Sequence, residues 1–326
     1  MLDNMTLKEM EKYHGQRFRP VDFDSFWASE IEKLPKDISY KIVKREFETN
    51  YVDCFDIRFS TANGSVVYAK YLRPVTKAKV PVIFHFHGYQ GRSSDWSEYF
   101  KFILAGYAVV AMDVRGQAGL SRDNGQFSGT TVKGQVIRGM LDGPQNLFFK
   151  DIYLDVYQLI EIVSKLEGID SERMITYGAS QGGALAYVGG ALNKKIKQII
   201  CIYPFLADFG RVLDLQLTCE PYDELFRYFK YVDPFYETKE KMLGTFDYID
   251  VKNFSDLIEC NVKLVTGLRD EICVPSTQYA IINGLKTNKE HMILPEYGHE
   301  ALNVFMNDQV MNWITGERIG AKKDEY

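Results

Sequence analysis

The stretch "RMITYGASQGGALAYVGGAL", residues 173–192, decides how the rest of the chain reads. A β-branched apolar run passes straight into small residues and then into a helical pattern, with one serine, Ser180, at the join. Gly178-Ala179-Ser180-Gln181-Gly182 is a G-x-S-x-G sequence between a strand, "RMITYG", and a helix, "QGGALAYVGGAL". That is the strand, sharp turn and helix of a nucleophile elbow. Gly178 and Gly182 remove Cβ atoms that would clash at the bend. The hydroxyl then points out of the sheet at a helix N-terminus, where free N–H groups favour a developing anion. The same letters also fit a glycine-rich helix start packed closely on a strand, so the remaining residues of the site have to be found.

Outward from the elbow, short runs that are apolar throughout recur: "VPVIFHFHG", "YAVVAMDVRG", "KQIICIYPF", "NVKLVTG" and "HMILPE". Strands without alternation are covered on both faces, as in a parallel sheet with helices on each side. Between two of them Ile152, Val156, Leu159, Val163 and Leu166 step by four and three, the apolar stripe of a helix. Residues 40–74 differ. They alternate β-branched and aromatic positions around Asn63-Gly64, which predicts antiparallel strands and a hairpin. The expected fold is therefore α/β, with a mostly parallel central sheet, helices on both faces and N-terminal antiparallel strands. No linker or repeat divides the chain, so 1–326 is expected to be a single domain, with an N-terminal helical extension over about 1–38. Residues 205–258 hold aromatic-rich helical pieces, more than a crossover requires, and are expected to form a cap-like insertion.

The chain has 326 residues, 46% of them hydrophobic, enough for one large buried core. Lys and Arg number 39 against 44 Asp and Glu, a net charge of −5 without a basic stretch, which speaks against nucleic acid or anionic lipid as a partner. The opening "MLDNMTLKEMEKYHG" carries charges where a signal peptide needs an apolar core, and no apolar run approaches the ~20 residues of a membrane span. No membrane association and a cytoplasmic location are expected. Cys54, Cys201, Cys219, Cys260 and Cys273 are odd in number and widely spaced, and read as reduced packing residues.

A serine hydroxyl needs a base, and the base needs an acid to orient it. In hydrolase order both follow the serine. Two histidines do: His291, at the start of "HMILPE", and His299, in the loop "YGHE" that enters a helix, where the base belongs. Asp270 lies just past the strand "NVKLVTG" and is favoured as the acid over its neighbour Glu271 and over Glu300. The backbone N–H groups of Gln181 and of Tyr89, after the strand ending at His87-Gly88, are placed to form an oxyanion hole. His85 and His87 share one strand face, but no acidic or Cys partner accompanies them, so neither a metal nor any other cofactor is expected. The loop after "KQIICIYPF" should line the acyl side and bring Tyr203 and Phe205 close to the acyl methyl, favouring acetyl over longer groups.

These residues resemble a family. "RPVDFDSFWASEIEKL", "HFHGY", "DVRGQAG", "GASQGGALA", "GLRDEICVPST" and "YGHE" are similar, nearly end to end, to the acetyl xylan esterase and cephalosporin C deacetylase group of carbohydrate esterases, which are α/β-hydrolases. The resemblance implies Ser180, Asp270 and His299 as a triad, and Tyr89 and Gln181 as the hole. It also implies a serine carboxylesterase acting on small acetyl esters, including acetylated xylo-oligosaccharides and cephalosporin C. Arg115-Gly116-Gln117 belongs to the signature, with Arg115 either fixing loops or touching substrate. A ring-like homohexamer is implied as well. A strand edge beside the Asn63-Gly64 hairpin and the Tyr and Phe density of 205–258 agree with it. The alternatives are a longer-chain esterase or serine peptidase and, further off, a non-catalytic binding protein of the same fold.

Overall fold

The computed structural model describes residues 3–46, 49–128, 134–303 and 305–316. Nine strands form one sheet: β1 (Tyr40–Arg45), β2 (Val52–Ser60), β3 (Val66–Pro74), β4 (Val80–Phe86), β5 (Ala108–Asp113), β6 (Ile169–Ala179), β7 (Ile196–Ile202), β8 (Asn261–Gly267) and β9 (Lys289–Leu294). Their order is β1-β2-β3-β5-β4-β6-β7-β8-β9. The joins from β1 to β5 are antiparallel and those from β5 to β9 parallel. Each fully apolar run of the sequence is one parallel strand, and the alternating N-terminal region is the antiparallel part. Asn63 and Gly64 lie in the turn between β2 and β3. Neither strand of that hairpin is an edge of the sheet; the edges are β9 and the mostly exposed β1.

Ten α-helices accompany the sheet among the described residues. α1 (Leu7–Met10) and α2 (Phe23–Glu32) precede it, and α3 (Phe100–Leu104), α4 (Phe148–Val163) and α5 (Gln181–Leu192) connect the strands β4 to β7. Then follow α6 (Phe209–Asp214), α7 (Asp223–Tyr231), α8 (Lys239–Phe246), α9 (Pro275–Gly284) and α10 (Met306–Thr315). Successive strand residues point to opposite faces, and β6 shows which helix lies where. Thr176 bonds the Ala186 carbonyl of α5, whereas Tyr177 meets the ring of Phe102 on α3. The sheet is therefore covered from both sides. Among the described residues no helix is long and apolar enough to cross a membrane.

The helix α4 is buried far beyond its one apolar stripe, because a second layer covers it. Trp27 of α2 lies against Tyr153 and Phe254, with ring centroids 5.9 and 5.3 Å apart, and its indole N–H donates to the Tyr248 carbonyl at 3.0 Å. The N-terminal residues thus act as a strap. Asp3 accepts from Arg211 at 2.8 Å and from the Ser276 N–H at 2.7 Å.

Arg115, 2% exposed, closes the antiparallel part onto the parallel part. Its Nε and Nη2 grip Asp155 of α4 at 2.7 and 2.5 Å, and its Nη1 reaches Ser65 Oγ at 3.3 Å and Asn63 Oδ1 at 3.4 Å. Of the two roles left open by the sequence, the contacts are those of loop fixing. A buried carboxylate deprived of its partner is expensive, so Arg115→Ala should destabilise the protein by about 3–5 kcal/mol. Urea denaturation will read this as a fall in midpoint at constant slope, and a midpoint that does not move overturns the assignment.

Candidate active site

Ser180 sits between β6 and α5 with φ +55° and ψ −121°, a conformation that L-residues rarely adopt. Such strain costs on the order of 1–3 kcal/mol and persists only where neighbours over-determine it. Here the Ser180 N–H donates to the Ile202 carbonyl at 3.0 Å, and its own carbonyl accepts from Phe205 N–H at 3.1 Å. The two glycines are required by space. A Cβ on Gly182 would stand 2.0 Å from the Phe86 carbonyl oxygen, and one on Gly178 would stand 2.4 Å from the backbone of Gly182. Without side chains there, the start of α5 presses directly against the end of β4.

The parallel strands β8 and β9 deliver the other two groups. Asp270 follows β8 and His299 follows β9, and the ladder continues beyond the strands with Leu268 N–H donating to the Leu294 carbonyl and Arg269 N–H to the Tyr297 carbonyl. His299 Nδ1 lies 2.8 Å from Asp270 Oδ2, and His299 Nε2 lies 2.9 Å from Ser180 Oγ. The other Asp270 oxygen accepts the N–H groups of Ile272 and Cys273 at 2.9 and 2.8 Å. Its carboxylate is thereby locked in one rotamer. Glu271 is exposed, and Glu300 turns back to accept from Gly298 N–H at 2.7 Å, so neither carboxylate competes for the histidine. His291 is packed away instead: it stacks edge-on against Tyr279, its Nε2 lies 2.8 Å from Thr266 Oγ1, and burial pushes its pKa down to about 4.

On the opposite side of Ser180, Gln181 is wholly buried and forms a reciprocal amide pair with Gln117, at 2.7 and 3.0 Å. The Gln181 Nε2 also reaches the carbonyls of His87 and Gly88, both at 3.4 Å. This ties the loop that carries Tyr89 to the first residue of α5. The Tyr89 phenol ends against Glu224 of α7 and the N–H of Gln135. His87 spends both ring nitrogens on backbone, Nδ1 on Gly88 O at 2.8 Å and Nε2 accepting from Val114 N–H at 3.0 Å. His85 lies between the rings of Tyr99 and Tyr177, with burial pushing its pKa down to about 3. His87 is thus engaged by backbone and His85 by its aromatic neighbours.

Tyr203 and Phe205 are buried on either side of the serine. The Tyr203 ring flanks His299 at 5.0 Å and its hydroxyl donates to the Glu300 carbonyl, while Phe205 packs on Tyr89 at 5.8 Å and on Tyr222 at 4.7 Å. Three groups near the serine were not singled out in the sequence. The Cys273 thiol is buried beside Asp270 and His299, its sulfur within 4.8 Å of a carboxylate oxygen of the one and a ring nitrogen of the other. Its place three residues after Asp270 was the available signal. Gln117 was seen only as part of a motif. Glu224, which burial pushes up to about 7, had no signal at all.

Comparison with known proteins follows this geometry. The acetyl xylan esterase (AXE1) family model matches residues 1–317. Acetyl xylan esterase 1 from Thermoanaerobacterium sp. superposes with a TM-score of 0.93 at 36% identity, covering 96% of this chain and 99% of that one. The acetyl xylan esterase of a Paenibacillus species gives 0.90 at 29% identity, with the same coverages of 96% and 99%. Acetyl esterase Axe7A of Xylanibacter ruminicola is 27% identical over 290 residues, 86% of this chain, and the chain spans 63% of the length of that relative. The whole-chain family match and the near-complete superposition agree, and the chain belongs to the acetyl xylan esterase family, with an α/β-hydrolase fold.

Proposed function

We propose that this chain is a serine carboxylesterase that removes acetyl groups from small acetylated carbohydrates, xylo-oligosaccharides among them, and from acetyl esters of the cephalosporin C type. One observation carries the reading: an unbroken line from Asp270 through His299 to Ser180, at 2.8 and 2.9 Å, ending on a strained serine at a helix start. The names of the relatives supply the acetyl group and the sugar.

In this mechanism Ser180 Oγ attacks the acyl carbonyl while His299 Nε2 takes its proton, and Asp270 stabilises the imidazolium so formed. The carbonyl oxygen, now negative, is held by the N–H groups of Gln181 and Tyr89. His299 then protonates the departing sugar oxygen. Water, deprotonated by the same histidine, attacks the acetyl-Ser180 ester, and acetate leaves as the serine regains its proton. Tyr203 and Phe205 close the acyl side, since one ring is fixed by His299 and the other by Tyr89. A longer acyl chain has to displace packed rings, which costs at least what its added methylenes gain.

The reading treats residues 1–326 as a single domain, of which 1, 2, 47, 48, 129–133, 304 and 317–326 lie outside the described residues. It includes a cytoplasmic location and a homohexamer. Support for the assembly comes from the exposed edge strand β1 and from the exposed Tyr231, Phe235 and Tyr236 at the end of α7.

Ser180→Ala should leave the fold intact and lower ester hydrolysis by several orders of magnitude. A folded variant that keeps a tenth of the activity would falsify the assignment. Asp270→Asn should lose most activity by leaving His299 in the wrong tautomer, whereas Glu271→Gln should lose little, and the reverse ranking moves the acid by one residue. Rates on p-nitrophenyl acetate should exceed those on the octanoate in kcat/KM; parity sinks the acyl-pocket reading. For assembly, light scattering at micromolar concentration should give six times the 37.6 kDa chain, and a mass of one or two chains removes the hexamer.

A further inference from the structure

Of the two N–H groups assigned to the oxyanion hole, that of Gln181 belongs to a helix and that of Tyr89 to a loop. The loop donor is only as well placed as the groups that hold it. On one side the Gln181 carboxamide reaches the His87 and Gly88 carbonyls. On the other, everything converges on the Tyr89 phenol. Its oxygen donates to Glu224 Oε1 at 3.2 Å and accepts from Gln135 N–H at 2.8 Å. Glu224, 0% exposed on α7, accepts in addition from the N–H groups of Gln135 at 3.1 Å and Val136 at 2.7 Å. The turn is drawn in so closely that a Cβ on Gly134, where φ is +73°, would lie 2.6 Å from the carboxylate and 2.8 Å from the phenol oxygen.

Backbone N–H groups and a phenol hydroxyl all aim at one point, and only a group that accepts from every direction satisfies them. The three meet at Oε1 of the carboxylate, whereas an apolar side chain of the same shape leaves all three donors without an acceptor. In this dry surrounding an unmade bond is costly, so the phenol has one position and the chain at Tyr89 has little freedom. The next residue, Gln90, has φ +56°, which further confines the loop. A transition-state donor is useful only within about 2.7–3.1 Å of the developing charge, and a misplacement of about 1 Å can cost up to ~100-fold.

We propose that Glu224 is a positioning residue for the oxyanion hole, fixing the Tyr89 N–H through the Tyr89 phenol, so that a helix of the 205–258 segment sets the reaction rate without touching substrate. The role rests on the serine-esterase reading above. Its signature is an interaction felt in the transition state and absent from ground-state binding.

The test uses Glu224→Leu, Tyr89→Phe and the double variant in the full-length protein, with p-nitrophenyl acetate as substrate. Competent sites are counted by labelling Ser180 with a phosphonate ester, and affinity for the tetrahedral state is read with a boronic acid. Each single variant should lower kcat per labelled site about tenfold with KM within about twofold, and weaken the boronic acid in proportion. The double variant should be no worse than the more severe single one, because both changes cut the same chain of contacts. Multiplying losses in the double variant, a rise in KM with kcat unchanged, or unaltered kinetics with only a lower melting temperature each overturn the proposal. Tyr89→Phe keeps the ring and removes only the oxygen, so it decides alone where Glu224→Leu does not fold. Failure of the phosphonate to label Ser180 in the unaltered protein is a different result: it overturns the serine reading, and this role with it.

Discussion

The close approach of α5 to the end of β4 is the constraint on which the site depends. It exists because Gly182 presents no side chain to the Phe86 carbonyl, where a Cβ would stand at 2.0 Å. From that one contact follow the sharp turn, the unusual dihedrals of Ser180, and the reach of the Gln181 carboxamide to the loop that leaves β4. A strained serine is not stable by itself. It is retained because α5 is buried almost entirely against β4, β6 and β7, and because Ile202 at the end of β7 accepts from the N–H of the residue while Phe205, just beyond that strand, donates to its carbonyl.

The histidine side is built on a different principle. Nothing there is strained in the manner of Ser180; distance is set by register. β8 and β9 pair in parallel from Val262 with Lys289 to Gly267 with Leu294, and the pairing runs on through Leu268 and Arg269. Gly267 again makes room, since a Cβ there would meet the Tyr297 carbonyl at 2.5 Å. Asp270 and His299 are thus neighbours because two strands keep their alignment past their ends. Side chains that lie 119 and 29 residues apart in sequence come together through the order and register of the strands.

What could be read in the sequence was what periodicity and local chemistry encode. The parallel strands announced themselves as unbroken apolar runs, the hairpin by Asn63-Gly64, and the elbow by two glycines flanking a serine. Asp270 and His299 could be found because each follows a strand and so falls at the same sheet edge. The unread part depends on tertiary contact. The burial of α4 on nearly all sides comes from Trp27, some 120 residues earlier, and no periodicity within the helix reports it. Arg115 had two open roles until Asp155 and Ser65 were seen at its guanidinium. Glu224 looks in sequence like any acidic residue in the first turn of an exposed helix. Its burial follows only from where the turn at 134–137 folds back.

Tyr203 joins the two halves of the site. Its N–H donates to the Val265 carbonyl at 2.8 Å, which fastens it to β8, and its φ of +31° turns the chain so that the ring swings under His299. The hydroxyl then reaches the carbonyl of Glu300, the residue after the histidine. Two positions further on, Phe205 donates its N–H to the serine carbonyl and lays its ring on Tyr89. Within three residues the chain leaving β7 therefore touches the serine, the histidine loop and the loop that carries Tyr89. A change of side-chain volume here is transmitted to all three, because packed rings and short backbone bonds leave no slack to absorb it. On the proposed reading this makes the acyl side narrow: the residues that would have to move to admit a longer chain are the ones packed against Ser180 and His299.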